Sequence, residues 1–221
     1  MFKPVKLKTK DGVEIAGDFY SVGEKDAPAV ILTHMMPSSK ESWRALAAKL
    51  NAAGFQCLAI DLRGHGESEG GPDGYKSFSD EDHQASINDI DAAAEFFLSS
   101  GIPLEKISLV GASIGANLSL IFQSEHPEIK ASVPISPGLS YHGLDTEPAA
   151  KNINENQSVF LSAGGENDAY SSETVQKLFG LLASKNKKIK IFQNAGHGTT
   201  IFAEEPELMN EIVSWLKEIY D

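Results

Sequence analysis

Short, almost wholly apolar runs rich in β-branched residues alternate along this chain with longer segments whose apolar positions recur at helical spacing. The short runs are Ala29–Thr33, Gln56–Ile60, Lys106–Val110, Ala131–Ile135, Ser158–Ala163 and Lys188–Gln193, and each reads as a buried strand. Between them, helices are predicted over Lys40–Ala53, Asp82–Ser99, Gly115–Glu125, Ser172–Ser184 and Pro206–Tyr220. In the second of these, Ile87, Ile90, Ala94 and Phe97 form one face with Asp and Glu between them. Ser38-Ser39-Lys40-Glu41 has the spacing of a capping box, and Gly54 and Gly101 stand where helices should stop.

The first residues follow a different rule. Val5–Lys8 and Val13–Phe19 alternate about Lys10-Asp11-Gly12, and Asp-Gly between alternating runs predicts an antiparallel hairpin. Thereafter strand and helix alternate, which predicts a mainly parallel sheet covered on both faces. With the hairpin included, about eight strands are expected. No repeat, low-complexity tract or linker interrupts residues 1–221, so one α/β domain is expected. The connection Ser136–Gln157, with Pro137, Gly138, Gly143 and Pro148, has room for one short helix at most. Tyr141 and Leu144 within it are expected as exposed loop residues rather than an apolar wall.

Composition narrows the function classes. The net charge is −12, from 31 acidic and 19 basic residues, which argues against nucleic-acid or anionic-membrane partners. The single cysteine, Cys57, lies in a buried-strand pattern and excludes an internal disulfide. Met1-Phe2-Lys3-Pro4-Val5-Lys6 lacks the apolar run of a signal peptide, and no stretch reaches the ~20 apolar residues of a membrane span. The cytoplasm is the expected compartment, and a monomer or homodimer the expected assembly.

The chemistry concentrates at strand ends. Gly111-Ala112-Ser113-Ile114-Gly115 follows the Lys106–Val110 strand and opens a helix, the setting of a nucleophile elbow. Glycine at 111 and 115 removes Cβ atoms that would meet the neighbouring helix and strand, so the turn can lift the Ser113 hydroxyl above the sheet. Glu166-Asn167-Asp168 ends another strand, and Asn194-Ala195-Gly196-His197-Gly198 follows the last. Serine hydroxyl is inert at neutral pH without a base, and imidazole is the side chain whose unperturbed pKa suits that role. Ser113 is therefore the expected nucleophile and His197 its base. Glu166 and Asp168 compete as the acid that orients the imidazole. No pair of histidines has a metal-ligand spacing such as H-E-x-x-H, so neither a metal nor another cofactor is expected.

These residues, with Asp61-Leu62-Arg63-Gly64-His65-Gly66-Glu67-Ser68 and His34-Met35-Met36-Pro37, resemble the α/β-hydrolase superfamily over nearly the whole chain, above all small serine esterases and dienelactone-hydrolase-like proteins. The resemblance implies an α/β-hydrolase fold with a minimal or absent cap and an open cleft. It also favours Asp168 over Glu166, because Gly165-Glu166-Asn167-Asp168 matches the relatives' G-x-x-D turn. The implied oxyanion donors are the backbone N–H groups of Ile114 and Met36, with Met35 the fallback. His34 would brace that loop by hydrogen bonding, and His65 would take a structural or rim position. His83, His126 and His142 are read as surface or helix-end residues.

Two departures stand out. Relatives close to the dienelactone hydrolases use cysteine where this chain has Ser113, which tilts the reading towards ordinary carboxylic esters. Met35 replaces the usual glycine of the oxyanion loop. The implied activity is hydrolysis of small carboxylic esters, short-chain or aryl, through an acyl-enzyme on Ser113. Lactonase, thioesterase, amidase and peptidase activities share the same constellation, and a non-catalytic binding protein with a hydrolase fold is a further alternative. Dehalogenase and epoxide-hydrolase chemistry would need a carboxylate where Ser113 stands.

Overall fold

The Lys10-Asp11-Gly12 turn closes the first hairpin. Gly12 takes φ +90°, and the Val13 N–H donates to Thr9 Oγ1 at 2.8 Å. In this computed structural model, which describes residues 1–221, the turn pairs β1 (Lys3–Lys8) antiparallel with β2 (Glu14–Tyr20). There follow β3 (Ala29–Thr33), α1 (Arg44–Ala52), β4 (Gln56–Ile60), α2 (Asp80–Gln84), α3 (Ile87–Ser99), β5 (Ile107–Ala112) and α4 (Ile114–Glu125). Then come β6 (Ala131–Ile135), a small hairpin of β7 (Ser140–Tyr141) and β8 (Leu144–Asp145), α5 (Thr146–Asn152) and β9 (Ser158–Ala163). The chain ends with α6 (Ala169–Leu181), β10 (Lys187–Ile191), α7 (Ile201–Glu204) and α8 (Glu207–Tyr220).

The principal sheet has eight strands in the order β1-β2-β4-β3-β5-β6-β9-β10. Only β2 runs antiparallel to its neighbours, β1 and β4; every other pair is parallel. Strand periodicity divides the core between the two faces. Val30 and Leu32 of β3 pack with Trp43, Leu46 and Leu50 around α1 and with Ile212 and Leu216 of α8. Ala29 and Ile31 of the same strand pack with Ile90 and Phe97 of α3 and Leu118 of α4. A third cluster joins Val159 and Leu161 of β9 to Ala149 and Ala150 of α5 and Val175 and Leu178 of α6.

Local departures from the sequence pattern have tertiary causes. The expected helix Lys40–Ala53 begins as a 3₁₀ turn over Lys40–Trp43, and no capping box forms there: Ser39 is extended and its hydroxyl bonds to the Glu41 carboxylate. The turn is held instead by a buried carboxylate. Asp61 Oδ1 accepts from the Lys40 N–H, and its Oδ2 accepts from Lys40 Nζ, both at 2.7 Å. The capping box appears one helix later, where Ser79 and Asp82 satisfy each other at the start of α2. The helix predicted over Asp82–Ser99 is broken after Gln84. Ser86 and Asp89 donate their N–H groups three residues back, a tightened turn that leaves the apolar phase of α3 intact. The wholly buried Asp89 beyond it accepts from the Arg63 N–H at 2.8 Å and Nε at 2.9 Å.

Thus the Asp61–Ser68 segment works as a clasp between β4 and its neighbours. Asp61 fixes the turn that follows β3, Arg63 spans Asp89 and Asp11, and Ser68 Oγ donates to the Asp61 carbonyl at 2.6 Å while accepting from the Ala16 N–H. Lys40 is 2% exposed and its partner Asp61 0%. Lys40→Met would strand the Asp61 carboxylate without its cation and is expected to cost about 3–5 kcal/mol. Urea unfolding monitored by tryptophan fluorescence measures this, and a loss under about 1 kcal/mol would mean that water rescues the carboxylate.

Candidate active site

At the end of β5 the chain turns abruptly into α4, and Ser113 at the apex takes φ +53°, ψ −118°, a conformation that costs a non-glycine residue of order 1–3 kcal/mol. The flanking glycines explain how the turn closes. A Cβ on Gly111 would stand 2.0 Å from the Gly115 carbonyl oxygen, and one on Gly115 would stand 2.3 Å from that of Thr33. Both obstacles are backbone, so no side-chain adjustment would relieve them. The Ser113 N–H donates to the Ile135 carbonyl at 2.9 Å, which ties the apex to the end of β6.

The acid and imidazole loops meet through the same device. At Gly165, φ is +83° and a Cβ would stand 2.0 Å from the Phe192 carbonyl oxygen, so the turn after β9 lies directly against the strand end that precedes His197. Across this contact His197 Nδ1 lies 2.7 Å from Asp168 Oδ1. Asp168 is buried and also accepts at Oδ2 from the Gly164 N–H, whereas Glu166 is exposed. Burial pushes the Asp168 pKa up, but hydrogen bonds from His197, the Ser136 hydroxyl and the Gly164 N–H outweigh it and hold the carboxyl below its ordinary value.

Ser136, the residue after β6, was not singled out by its sequence, yet it joins these loops. It has φ +52°, its Oγ accepts from the Gly198 N–H at 2.8 Å, and its hydroxyl contributes to holding the Asp168 carboxyl below its ordinary value. Gly198 in turn lies against the residue before Ser113, for a Cβ there would be 3.5 Å from Ala112 Cβ. The ends of β5, β6, β9 and β10 therefore converge, bringing Ser113, Ser136, Asp168 and His197 to one edge of the sheet. The only advance signal for Ser136 is its position at the carboxyl end of a parallel strand.

On the other side of Ser113 lies the loop after β3. His34 is wholly buried, its Nε2 accepts from the Leu62 N–H at 3.0 Å, and Nδ1 donates to the Met35 carbonyl at 2.9 Å. Those partners set the tautomer, and burial, with His65 nearby, pushes its pKa down to about 4. His34 is a neutral brace for the loop. His65 stacks on Tyr75 with ring centroids 4.3 Å apart and bonds through Nδ1 to the Arg63 carbonyl, a structural position. Neither Met35 nor Met36 donates its N–H to a protein acceptor. The Met35 side chain packs on Gly198, and Met36 reaches the opposite core cluster beside α3 and α4. Ile114 begins α4, where first-turn N–H groups have no intrahelical acceptor.

The Ser136–Gln157 connection builds only the β7–β8 hairpin and α5, one short helix. Contrary to the exposed-loop expectation, Leu144 is buried in the core beside α4, and Tyr141 is half-buried. His83 stands at a helix end, in the last turn of α2, but is buried rather than on the surface, stacked on His142 at 3.9 Å. A groove of about 360 Å³ lined by Gln84, Ile87, Ile121, Leu144, Pro148 and Asn152 includes none of Ser113, Asp168 and His197. No helix is long and apolar enough to cross a membrane.

Comparison with known proteins agrees with this architecture. A family profile described as alpha/beta hydrolase fold matches residues 28–200. The bifunctional esterase/perhydrolase of Acinetobacter calcoaceticus is 39% identical over 91 residues, 41% of this chain and 30% of that protein. Bifunctional epoxide hydrolase 2 of Sus scrofa is 42% identical over 64 residues, 29% of this chain and 11% of that protein. The chain thus spans less than a third of the length of either relative. Among solved structures, the esterase Pf2001 of Pyrococcus furiosus superposes with a TM-score of 0.81 at 22% identity, covering 99% of this chain and 92% of that one.

Proposed function

This chain belongs to the α/β-hydrolase family, and from that premise we propose that it is a serine esterase that hydrolyses carboxylic esters through an acyl-enzyme on Ser113. The observation that carries the reading is the 2.7 Å pairing of His197 Nδ1 with Asp168 Oδ1, in a loop that packs against the strained Ser113 turn. With Nδ1–H donated to Asp168, Nε2 carries the lone pair that accepts the Ser113 proton. The serine oxygen attacks the ester carbonyl, and the negative charge that develops on the carbonyl oxygen is met by the N–H groups of Ile114 and Met36. Met35 is the alternative second donor, since its N–H is equally uncommitted. His197 then returns the proton to the leaving alcohol and activates water for deacylation, while Asp168 stabilises the imidazolium.

The short cap supports small substrates, short-chain or aryl esters, because nothing beyond the β7–β8 hairpin and α5 is available to enclose a long chain. Epoxide opening, suggested by one relative, lacks its nucleophile here, since the apex residue is a serine and not a carboxylate. Lactones, thioesters and amides are served by the same groups and form the second rank of substrates.

The test is labelling with a fluorophosphonate followed by a panel of acyl, lactone, thioester and amide substrates. The expected result is stoichiometric phosphonylation of Ser113, fastest turnover on esters, and an adduct whose oxygen accepts from the Ile114 and Met36 N–H groups. Labelling with no ester turnover would transfer the assignment to the lactone, thioester or amide readings. No labelling at all would replace the enzyme by a binding protein with a hydrolase fold.

A further inference from the structure

The β7–β8 hairpin is fastened at both ends, by chemistry of two kinds. At its base the bonds run among amides and hydroxyls. The buried Asn117 of α4 donates to the Leu144 carbonyl at 2.8 Å and accepts from the Gly138 N–H at 3.0 Å, and Thr146 Oγ1 donates to the Gly138 carbonyl at 2.8 Å. At its tip, two histidines from different elements lie face to face. His142 and Gly143 are the central pair of the two-residue turn that joins Tyr141 to Leu144, and both take positive φ, +52° and +76°. Such a turn favours asparagine, aspartate or glycine at its first central place. The histidine that stands there is held by what it touches.

The partner is α2. The buried His83, in its last turn, stacks on His142 with centroids 3.9 Å apart and planes inclined by 24°, and Phe78 meets the His83 ring edge-on at 5.4 Å. His142 Nδ1 lies 2.9 Å from Asp80 Oδ1, and Gln84 Nε2 donates to the His142 carbonyl at 3.0 Å. A Cβ on Gly143 would fall 2.3 Å from that same amide nitrogen, so Gln84 lies directly on the turn. Three residues of one short helix thus grip the hairpin tip. Burial is the largest influence on the His83 ring and holds its pKa below the ordinary value. His142 across the stack and His65 of the Asp61–Ser68 segment push the same way, and Asp80 and Asp82 of α2 offset them only in part.

We infer that the His83–His142 stack is an acid-released latch, which holds the tip of the cap hairpin on α2 while His83 is neutral and lets it go once both rings are protonated. With a proton on each ring, two like charges would face one another at 3.9 Å, and Asp80 pairs with His142 rather than with His83. Separation relieves the repulsion and lets water reach the His83 charge. The base stays closed, because the bonds of Asn117 and Thr146 involve no group that gains a proton. Since the folded His83 titrates below its unfolded value, the latch is complete above about pH 6.5 and is lost as pH falls through the lower folded value. The device belongs to the cap and does not depend on the chemistry at Ser113.

NMR on the whole chain tests this, with the imidazole carbons reporting protonation and amide relaxation reporting order. As His83 gains its proton, the order parameters of the His142 and Gly143 amides are expected to fall from about 0.85 to below about 0.6, while the Leu144 amide keeps its rigid value. His83→Phe preserves an aromatic face against His142 but cannot titrate, so its tip should stay ordered through the same pH range. A wild-type tip that stays rigid after His83 is protonated overturns the inference, and so does an equal loss of order in His83→Phe. A second variant serves if that one fails to fold. His142→Gln removes the facing charge and should move the His83 titration up by about 0.7 pH unit, the size of a like charge about 4 Å away in water. An unmoved titration would show that the two rings do not share the latch.

Discussion

Ser113→Ala is expected to lower kcat for p-nitrophenyl acetate by about 10⁴- to 10⁶-fold, with the protein still folded. The size follows from the loss of the covalent route. With no Oγ to attack, His197 has only bulk water to activate, and the remaining rate comes from the oxyanion donors and substrate positioning. Folding is preserved because alanine keeps the Cβ already accommodated at φ +53° and no hydrogen bond of the turn depends on the hydroxyl: the Ser113 N–H and carbonyl make the bonds that close it. Ser113→Gly supplies an internal control. It removes the same hydroxyl but relieves a positive φ, against which stands the greater freedom of glycine in the unfolded chain, so it should be more stable than Ser113→Ala by about 1 kcal/mol. Activity assays and thermal denaturation on the pair test both halves. Retention of more than a few per cent of activity in Ser113→Ala would exclude the acyl-enzyme.

Asp168→Asn should cost about 10⁴-fold in kcat with little change in KM. An asparagine that keeps its oxygen towards the Gly164 N–H turns its NH₂ on His197 Nδ1, which then becomes the acceptor. The ring proton moves to Nε2, the atom required to take the proton from Ser113. Glu166→Gln provides the counter-test, because Glu166 is exposed and should leave activity near wild type. If Glu166→Gln were the damaging change, the acid would have been misassigned. The pH dependence has a definite sign. Asp168 titrates below its ordinary value despite burial, through its bonds to His197, Ser136 and Gly164. Its stabilising contribution is therefore complete above the unfolded carboxyl pKa of about 3.9 and is lost only as pH falls through the lower folded value. Asp168→Asn should accordingly narrow its stability deficit against wild type in the acid range, which urea midpoints measured from neutral pH downward would reveal.

Much of the fold was legible because its signals are local. β3, β4, β6 and β9 fall where apolar runs predicted them, since a strand buried on both faces has no alternative composition. The breaks in helices were not legible. The tight turn before α3 keeps its apolar residues in phase, and the 3₁₀ turn at Lys40 answers to Asp61, a residue twenty-one positions away. Near the site, the failures concern residues whose partners are remote. Leu144 lies in the Pro- and Gly-containing connection Ser136–Gln157, which predicts an exposed loop residue, yet Asn117 of α4 donates to its carbonyl and its side chain is buried in the core. Ser136 carries no motif at all.

What the sequence determined by itself was the order of the principal strands and the main helices between them, the tight turn at Ser113 and the placing of reactive residues at strand ends. Each of these depends on residues within a few positions of one another: apolar periodicity, and glycines spaced to let backbone approach backbone. The tertiary structure alone decided which acid meets His197 and how Ser136 joins the loops from β5, β6, β9 and β10. Those outcomes depend on strands distant in sequence being neighbours in the sheet, and on buried polar atoms having to find partners wherever the packing brings them.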